Sequence, residues 1–506
     1  MLFGMSFSIN GRNVKARCWL YRDLKKVLLP ALVLFFSFSC SAAVLVSQDP
    51  WHFLYVDDLP DNNSAGASCI AFAKASVYPD AVCGYGNNPA PFYAAGWFPQ
   101  GGGIFYLGQF FFGRCKSPQV FNVSTANCGN DEQKGPPSTL SCVGNPINTA
   151  VGNKFQQEVD YQPLIDGSPS FSRSYNSLDG LWRHNYSTFI RFAIGKLSLV
   201  HADGRESFFN VDGDIATAYP NETGLLVKAG ASWLYTADNN ERFTYDSSGR
   251  LTEWSSPAGL QQKLTYNNGQ VTVSSNSGQT LTFTEDAQHQ PLTLATSDLR
   301  ITYSYDANQH LVQLTRTRGS QAQKRQFLYE DSRNTSLLTG IIDERGIRFA
   351  TWSYDDQGRA ISSQHSGGAG LTQVAYNADG SSTVTNELGK TTVYRYQQIG
   401  GVKRVTAIEG EPSANCPASN SSYTYNDRGQ MLTKTDAKGL VTAYTYNDRG
   451  LETSRTEASG TPLARTVTTE WDPDRFLPTK VVEPTRVTVY SYDNQGRELT
   501  RQVTSR

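Results

Sequence analysis

From Phe243 onward, apolar and polar positions alternate in short runs separated by turns. Phe243 and Tyr245 fall on one face of such a run, as do Tyr303 and Tyr305, Tyr423 and Tyr425, and Tyr444 and Tyr446, with Thr or Ser between them. Alternation with a period of two is the signature of a half-buried strand. The run itself recurs. "FTYDSSGRL" from Phe243 returns as "WSYDDQGRA" from Trp352, "YTYNDRGQM" from Tyr423, "YTYNDRGLE" from Tyr444 and "YSYDNQGRE" from Tyr490. With Tyr245 as the marker, equivalent positions fall at Tyr266, Glu285, Tyr305, Tyr329, Tyr354, Tyr376, Tyr396, Tyr425, Tyr446, Trp471 and Tyr492, spaced 19 to 29 residues apart. A steady period over half a chain defines a repeat architecture.

Each unit carries two reversals. The first follows the tyrosine, at Asp246–Gly249, Asp355–Gly358, Asn426–Gly429, Asn447–Gly450 and Asp493–Gly496; the second comes later, as at Asp343–Gly346, Asn386–Gly389 and Asp436–Gly439. Asp or Asn at the first turn position bonds the backbone two residues on, and Gly at the fourth takes positive φ. Two turns per unit leave strands of about five to seven residues. One such hairpin is marginal in water, so the units must stack and pool their aromatic face. The expected fold is therefore all-β: repetitive antiparallel hairpins coiling into an open, partial β-shell.

Residues 243–506 resemble the YD repeats of the Rhs (rearrangement hotspot) family, related to shells of bacterial insecticidal toxin complexes and to teneurins. The "YDxxGR" motif is best kept at Tyr245–Arg250, Tyr354–Arg359 and Tyr492–Arg497. Upstream, "GNPINTAVGNKFQQEVDY" (144–161) and "FSRSYNS" (171–177) resemble the module that precedes such repeats. The resemblance implies a hollow shell that encases or presents a toxin domain. It also implies a partner: a C-terminal shell or toxin polypeptide, encoded separately or lost, because the sequence ends at Arg506 without a family-type core segment or variable tail.

Ahead of the repeats, residues 1–43 read as a secretion signal, with a basic stretch and an apolar run "VLLPALVLFFSF" at 27–38. Residues 44–142 form a Cys-, Gly- and aromatic-rich module, expected to be stapled by disulfides. The candidates are Cys69 with Cys83 and Cys128 with Cys142, with Cys115 unassigned and Cys416 alone. Residues 130–140 read as a polar linker, and residues 143–242 as a β module that feeds extra strands into the shell. Localisation is expected to be exported: secreted or at the cell surface.

Composition narrows the chemistry. A formal net charge of −1 draws the chain neither to nucleic acid nor to an anionic membrane surface. The repeat acids lie too far apart to form a calcium site of several oxygens and are read as turn residues. "LGKTT" at 388–392 lacks the preceding glycine of a phosphate loop. His201, Asp203 and Glu206 are the nearest approach to a cluster and are read as flanks of a hairpin. The arginines of "YDxxGR" (Arg250, Arg359, Arg497) are read as solvated. No catalytic residue, cofactor or metal is expected. The leading reading is a non-enzymatic exported scaffold for toxin encapsulation or delivery. Its alternative is an adhesin-like protein binding a surface glycan or receptor through residues 44–142; a third reading, a hydrolase within 143–242, needs a concave acidic or nucleophilic pocket there.

Overall fold

The computed structural model describes residues 133–506 except 166, 194–195 and 411–419, together with the backbone of seven short strands before residue 130. The chain divides into two compact units, Met1–Asp131 with Phe192–Leu197, and Glu132–Arg191 with Ser198–Arg506. In the first, Leu2–Ile9 pairs with Arg12–Trp19, Val82–Gly84, Ala95–Gln100 and Gly103–Leu107 form a three-stranded sheet, and Val120–Asn122 pairs with Asn127–Gly129. The apolar run 27–38, Cys69, Cys115 and Cys416 lie outside the described residues, as do the side chains of Cys83 and Cys128. Cys142 carries a free thiol. Cys142 lies in a two-residue strand, Cys142–Val143, paired with Ile147–Asn148, and the side chain of Cys128, its expected partner, lies outside the described residues.

The repeats form what their alternation requires. A 30-stranded antiparallel sheet runs in sequence order without a crossover and ends at Glu498–Ser505. The tyrosine of most repeats marks a slip in register, as between Thr244 and Tyr245, Ser353 and Tyr354, Thr424 and Tyr425, Thr445 and Tyr446, and Ser491 and Tyr492, but not at Tyr266, Tyr329 or Tyr376. Such bulges bend a strand and increase its twist. Repeated along one edge, they curl the sheet rather than letting it lie flat.

The module before the repeats departs from expectation in its first part. Residues from Ser198 on supply wall strands, such as Glu206–Asp212 and Ser232–Thr236. The three-stranded sheet Phe155–Tyr161, Phe171–Asn176 and Trp182–His184 does not join the wall. Its contacts follow the repeats round in order. Thr188 meets Tyr245, Phe171 meets Phe283, Trp182 meets Phe327, Tyr175 meets Ser336, Lys154 meets Trp352, and Thr149 meets Ser382. The wall therefore wraps this sheet as a plug. The physical reason lies in the plug's sequence: in Phe171–Asn176 both faces are covered, Phe171, Arg173 and Tyr175 on one and Ser174 and Asn176 on the other, unlike a strand with one face in water. The expected linker is also packed, with Lys134 bonded to Glu206 at 2.9 Å and Gly135 donating to Asn176 Oδ1 at 2.7 Å.

Candidate functional site

The interior wall is built from the repeat tyrosines. Tyr245 and Tyr354 are 1% and 2% exposed, and Tyr425, Tyr446 and Tyr492 are half-buried. Their hydroxyls explain why the position is Tyr rather than Phe. Tyr354 donates to Leu338 O (2.7 Å), Tyr376 to Ala360 O (2.7 Å), Tyr425 to Val405 O (2.7 Å), Tyr446 to Met431 O (2.8 Å) and Tyr492 to Pro478 O (2.8 Å). Trp471, standing in for tyrosine, donates Nε1–H to Glu452 O at 2.8 Å. Each of these rings clips its own repeat to the backbone of the one before. A buried phenol gains by pairing its hydroxyl with an acceptor, and the same burial pushes the Tyr354 hydroxyl well above its usual pKa.

The turn acids act locally. Asp246 Oδ1 accepts from Ser248 N and Arg250 N at 2.9 and 3.0 Å, and Asp355 Oδ1 from Gln357 N and Arg359 N at 3.0 and 2.9 Å. Asn426, Asn447 and Asp493 bond their own turns in the same way. Gly249, Gly358, Gly429, Gly450 and Gly496 close these turns at φ between 74° and 88°, a region that other residues enter only with strain. The arginines correct the solvated reading in two of three cases. Arg250 lies over the Tyr266 ring at 3.9 Å and Arg359 over Tyr376 at 4.2 Å, so the arginine of one repeat caps the tyrosine of the next. Arg497 bonds Asp493 and is largely exposed.

The plug meets this wall through a polar stripe. Lys154, Gln156, Glu158 and Asp160 alternate along one strand and all face inward. Lys154 Nζ bonds Gln156 Oε1 (2.8 Å), Gln156 Nε2 bonds Glu158 Oε1 (2.8 Å), and Glu158 Oε2 receives Arg325 Nη1 of the wall (2.6 Å). Burial pushes the Lys154 amine well below its usual pKa, against the attraction of Glu158. Asp160 receives both Nε and Nη2 of fully buried Arg173 and the hydroxyl of Tyr303 (2.7 Å). Removing one member of such a network strands a charge in the core, which costs far more than an exposed pair.

A second polar contact was hidden by a broken repeat. Glu285 occupies a tyrosine position. Its carboxylate bonds His184 Nε2 of the plug (3.1 Å) and His289 Nδ1 (3.0 Å), and pairs with Arg250. Desolvation would raise its pKa, but the bonds from His184 and His289 hold it well below the carboxylate range. His184 is packed between Phe171 and Phe283, with ring centroids at 5.0 and 4.7 Å, and its Nδ1 accepts Tyr186 N–H (3.3 Å). Burial lowers its pKa, opposed by Glu285. The loss of the aromatic at position 285 was the sequence signal for this contact. His201, Asp203 and Glu206 flank a hairpin but do not converge. His201 Nε2 bonds Ser207 Oγ (2.7 Å), Asp203 caps Arg205 N (2.9 Å), and Glu206 pairs with Lys134.

This arrangement defines a class: a coiled hairpin-repeat shell with an aromatic interior and a resident plug. Residues 425–462 match the RHS Repeat family, and residues 144–209 match a domain of unknown function (DUF6531) that spans the plug and the first wall strands. The repeat region thus carries an RHS, or YD, repeat, and the plug region carries the DUF6531 domain. No curated protein matches the sequence. Among solved structures, TcdB2-TccC3-Cdc42 is similar at 12% identity and TM-score 0.32, over 67% of this chain and 19% of that one. TcdB2-TccC3-TEV is similar at 13% and 0.35, over 68% and 20%. The Photorhabdus luminescens Tc holotoxin pore carrying TccC3-D651A is similar at 11% and 0.24, over 76% and 23%. The chain spans about one-fifth of the length of those chains.

Proposed function

We propose that the chain is a non-catalytic, exported scaffold: a wall-and-plug portion of an Rhs shell that encloses or presents a toxin polypeptide. One observation carries the reading. The aromatic stripe that the plug side meets as far as Lys403 continues through Tyr425, Tyr444, Tyr446, Trp471 and Tyr492, where the rings are only half-buried. An apolar inner wall of this kind suits a loosely folded chain, which offers apolar side chains without needing a shaped pocket. The RHS Repeat match within the wall supports a toxin as that chain, and the basic and apolar segments of residues 1–43 support export.

The test is co-expression of the full chain with candidate toxin domains encoded beside it, followed by limited proteolysis. Cargo held in the shell resists protease at concentrations that destroy it alone, and its toxicity to the producing cell falls. Cargo digested at the same rate with and without the chain would overturn the reading.

A further inference from the structure

The wall repeats one pattern, yet the plug meets a different residue in each of four consecutive units, those marked by positions 285, 305, 329 and 354. At the marker position itself, Glu285 stands between Tyr266 and Tyr305, and Glu285 is the residue that His184 of the plug bonds (3.1 Å). Two residues before the marker stand Phe283, Tyr303, Phe327 and Trp352. Of these four only Tyr303 has a phenol, and it donates to Asp160 of the plug (2.7 Å). The Trp352 ring lies under Lys154 Nζ, 4.2 Å from its centroid. Four residues before the marker stand Leu281, Ile301, Arg325 and Ala350. Only Arg325 carries a charge, and Glu158 of the plug takes it up at 2.6 Å.

A plug displaced by one unit would lose these partners. Glu158 would face Ile301 or Ala350, and Asp160 would face Phe283 or Phe327 in place of a phenol. Glu158 and Asp160 are 8% and 5% exposed, so water cannot stand in. Aromatic packing gives little discrimination, since every one of these units offers a ring; a buried carboxylate left without its counter-charge discriminates strongly.

The turns cannot supply this information. An Asp-x-x-Gly turn sets where a hairpin bends and is alike from unit to unit. Tandem repeats of this kind are prone to pair out of place. Where the plug side ends, the differences end too. Among the described residues its hydrogen bonds reach no further along the sequence than Lys403, and beyond that point residues 423–429 and 444–450 both read YTYNDRG. A fixed count of units also lets distant turns meet: Asn240 Nδ2 donates to Phe476 O (2.9 Å) and Asn240 Oδ1 accepts Phe476 N–H (3.0 Å), across 236 residues.

We propose that the plug has a second function as a register key for the wall. Lys154, Glu158, Asp160 and His184 assign four otherwise interchangeable units to their places as the coil closes, so that the repeats reach one arrangement. The inference concerns assembly of the wall and stands whether or not the interior takes a toxin.

The test replaces both members of one pair, Glu158→Leu with Arg325→Met, in the full chain. No charge is stranded between them, so native packing is kept, and Arg316 remains beside Glu344, the other carboxylate that Arg325 pairs with. Hydrogen exchange read by mass spectrometry, on protein as purified and after refolding from urea, should show one population in the wild type. The double variant should show two over Arg300–Tyr305 and Gln321–Leu328, with the displaced one raised more than about a hundredfold, the discrimination that a stranded buried charge provides. Tyr303→Phe keeps the ring and makes that position match Phe283 and Phe327; it should raise the displaced population roughly five- to thirty-fold. Tyr354→Phe removes a comparable hydroxyl bond that joins wall to wall, at Leu338 O, and should leave a single population. A single population in both plug-facing variants, or the same second population in Tyr354→Phe, would overturn the proposal.

Discussion

Replacing Tyr354 by Phe removes one oxygen and nothing else, so it measures the clip between repeats. The ring is 2% exposed, and its hydroxyl donates to Leu338 O at 2.7 Å. Leu338 is fully buried and lies outside the strands, so no ladder bond and no bulk water replaces the lost donor. A neutral hydrogen bond contributes about 1 kcal/mol net, and leaving its buried acceptor unsatisfied brings the cost to about 1–2 kcal/mol. That corresponds to roughly a five- to thirty-fold change in the local opening equilibrium. Tyr492→Phe is the internal control. It removes the same bond, to Pro478 O, from a half-buried ring where water can take over, and should cost less than about 0.5 kcal/mol. A chain of this size need not unfold in one step, so the assay is native-state hydrogen exchange read strand by strand. Because repeats couple to nearest neighbours, the loss should centre on Arg348–Tyr354 and on the 336–340 segment beneath it. Equal effects at the two positions, or none at Tyr354, would refute the clip as the reason for tyrosine.

Two other outcomes follow from the plug. At Gly152, held at φ +78°, an added Cβ would lie 2.4 Å from Arg359 Cβ and 2.9 Å from its Cα; Gly152→Ala should therefore cost about 2–4 kcal/mol and release the plug loop, seen as lost protection of Ala360 N–H, which bonds Gly152 O. Burial holds His184 below its ordinary pKa of 6.5, so the unfolded chain takes up the proton first. The contribution of His184 is then complete above about pH 6.5 and declines as the pH falls below it. Glu285, depressed below 4.5, keeps its own contribution until the pH falls under that value. Stability measured by urea titration should thus fall between pH 7 and 5, with a shallower slope in His184→Gln; His201, also lowered by burial, supplies the slope that remains.

The strands, the turns and the inward tyrosines were legible because each is a local event. Asp246 caps Arg250 within its own turn, and Tyr245 shares a face with Phe243 by alternation alone. The Asp-x-x-Gly turns therefore needed no tertiary information. The role of the tyrosine hydroxyl was not legible, since its acceptor lies in the repeat before, at a distance that varies with loop length: Tyr446 reaches back to Met431 and Tyr425 to Val405. Arg250 and Arg359 look solvated in sequence because the next repeat's ring that covers them is some twenty residues away. Glu285 looks like decay of the motif, and only the position of His184 shows it to be a contact.

By itself the sequence determined the local grammar of this protein: hairpins, their period, and a stripe of aromatic rings that had to be covered. It could not say what covers them. Two alternating faces are consistent with a hollow shell or a filled one, because burial is non-directional and any apolar surface satisfies it. The tertiary structure made that choice by placing Phe171, Trp182 and the Lys154–Asp160 stripe within the first turn of the coil. It also decided where the wall meets itself, since a clasp between Asn240 and Phe476 depends on the accumulated curvature of all the strands between them.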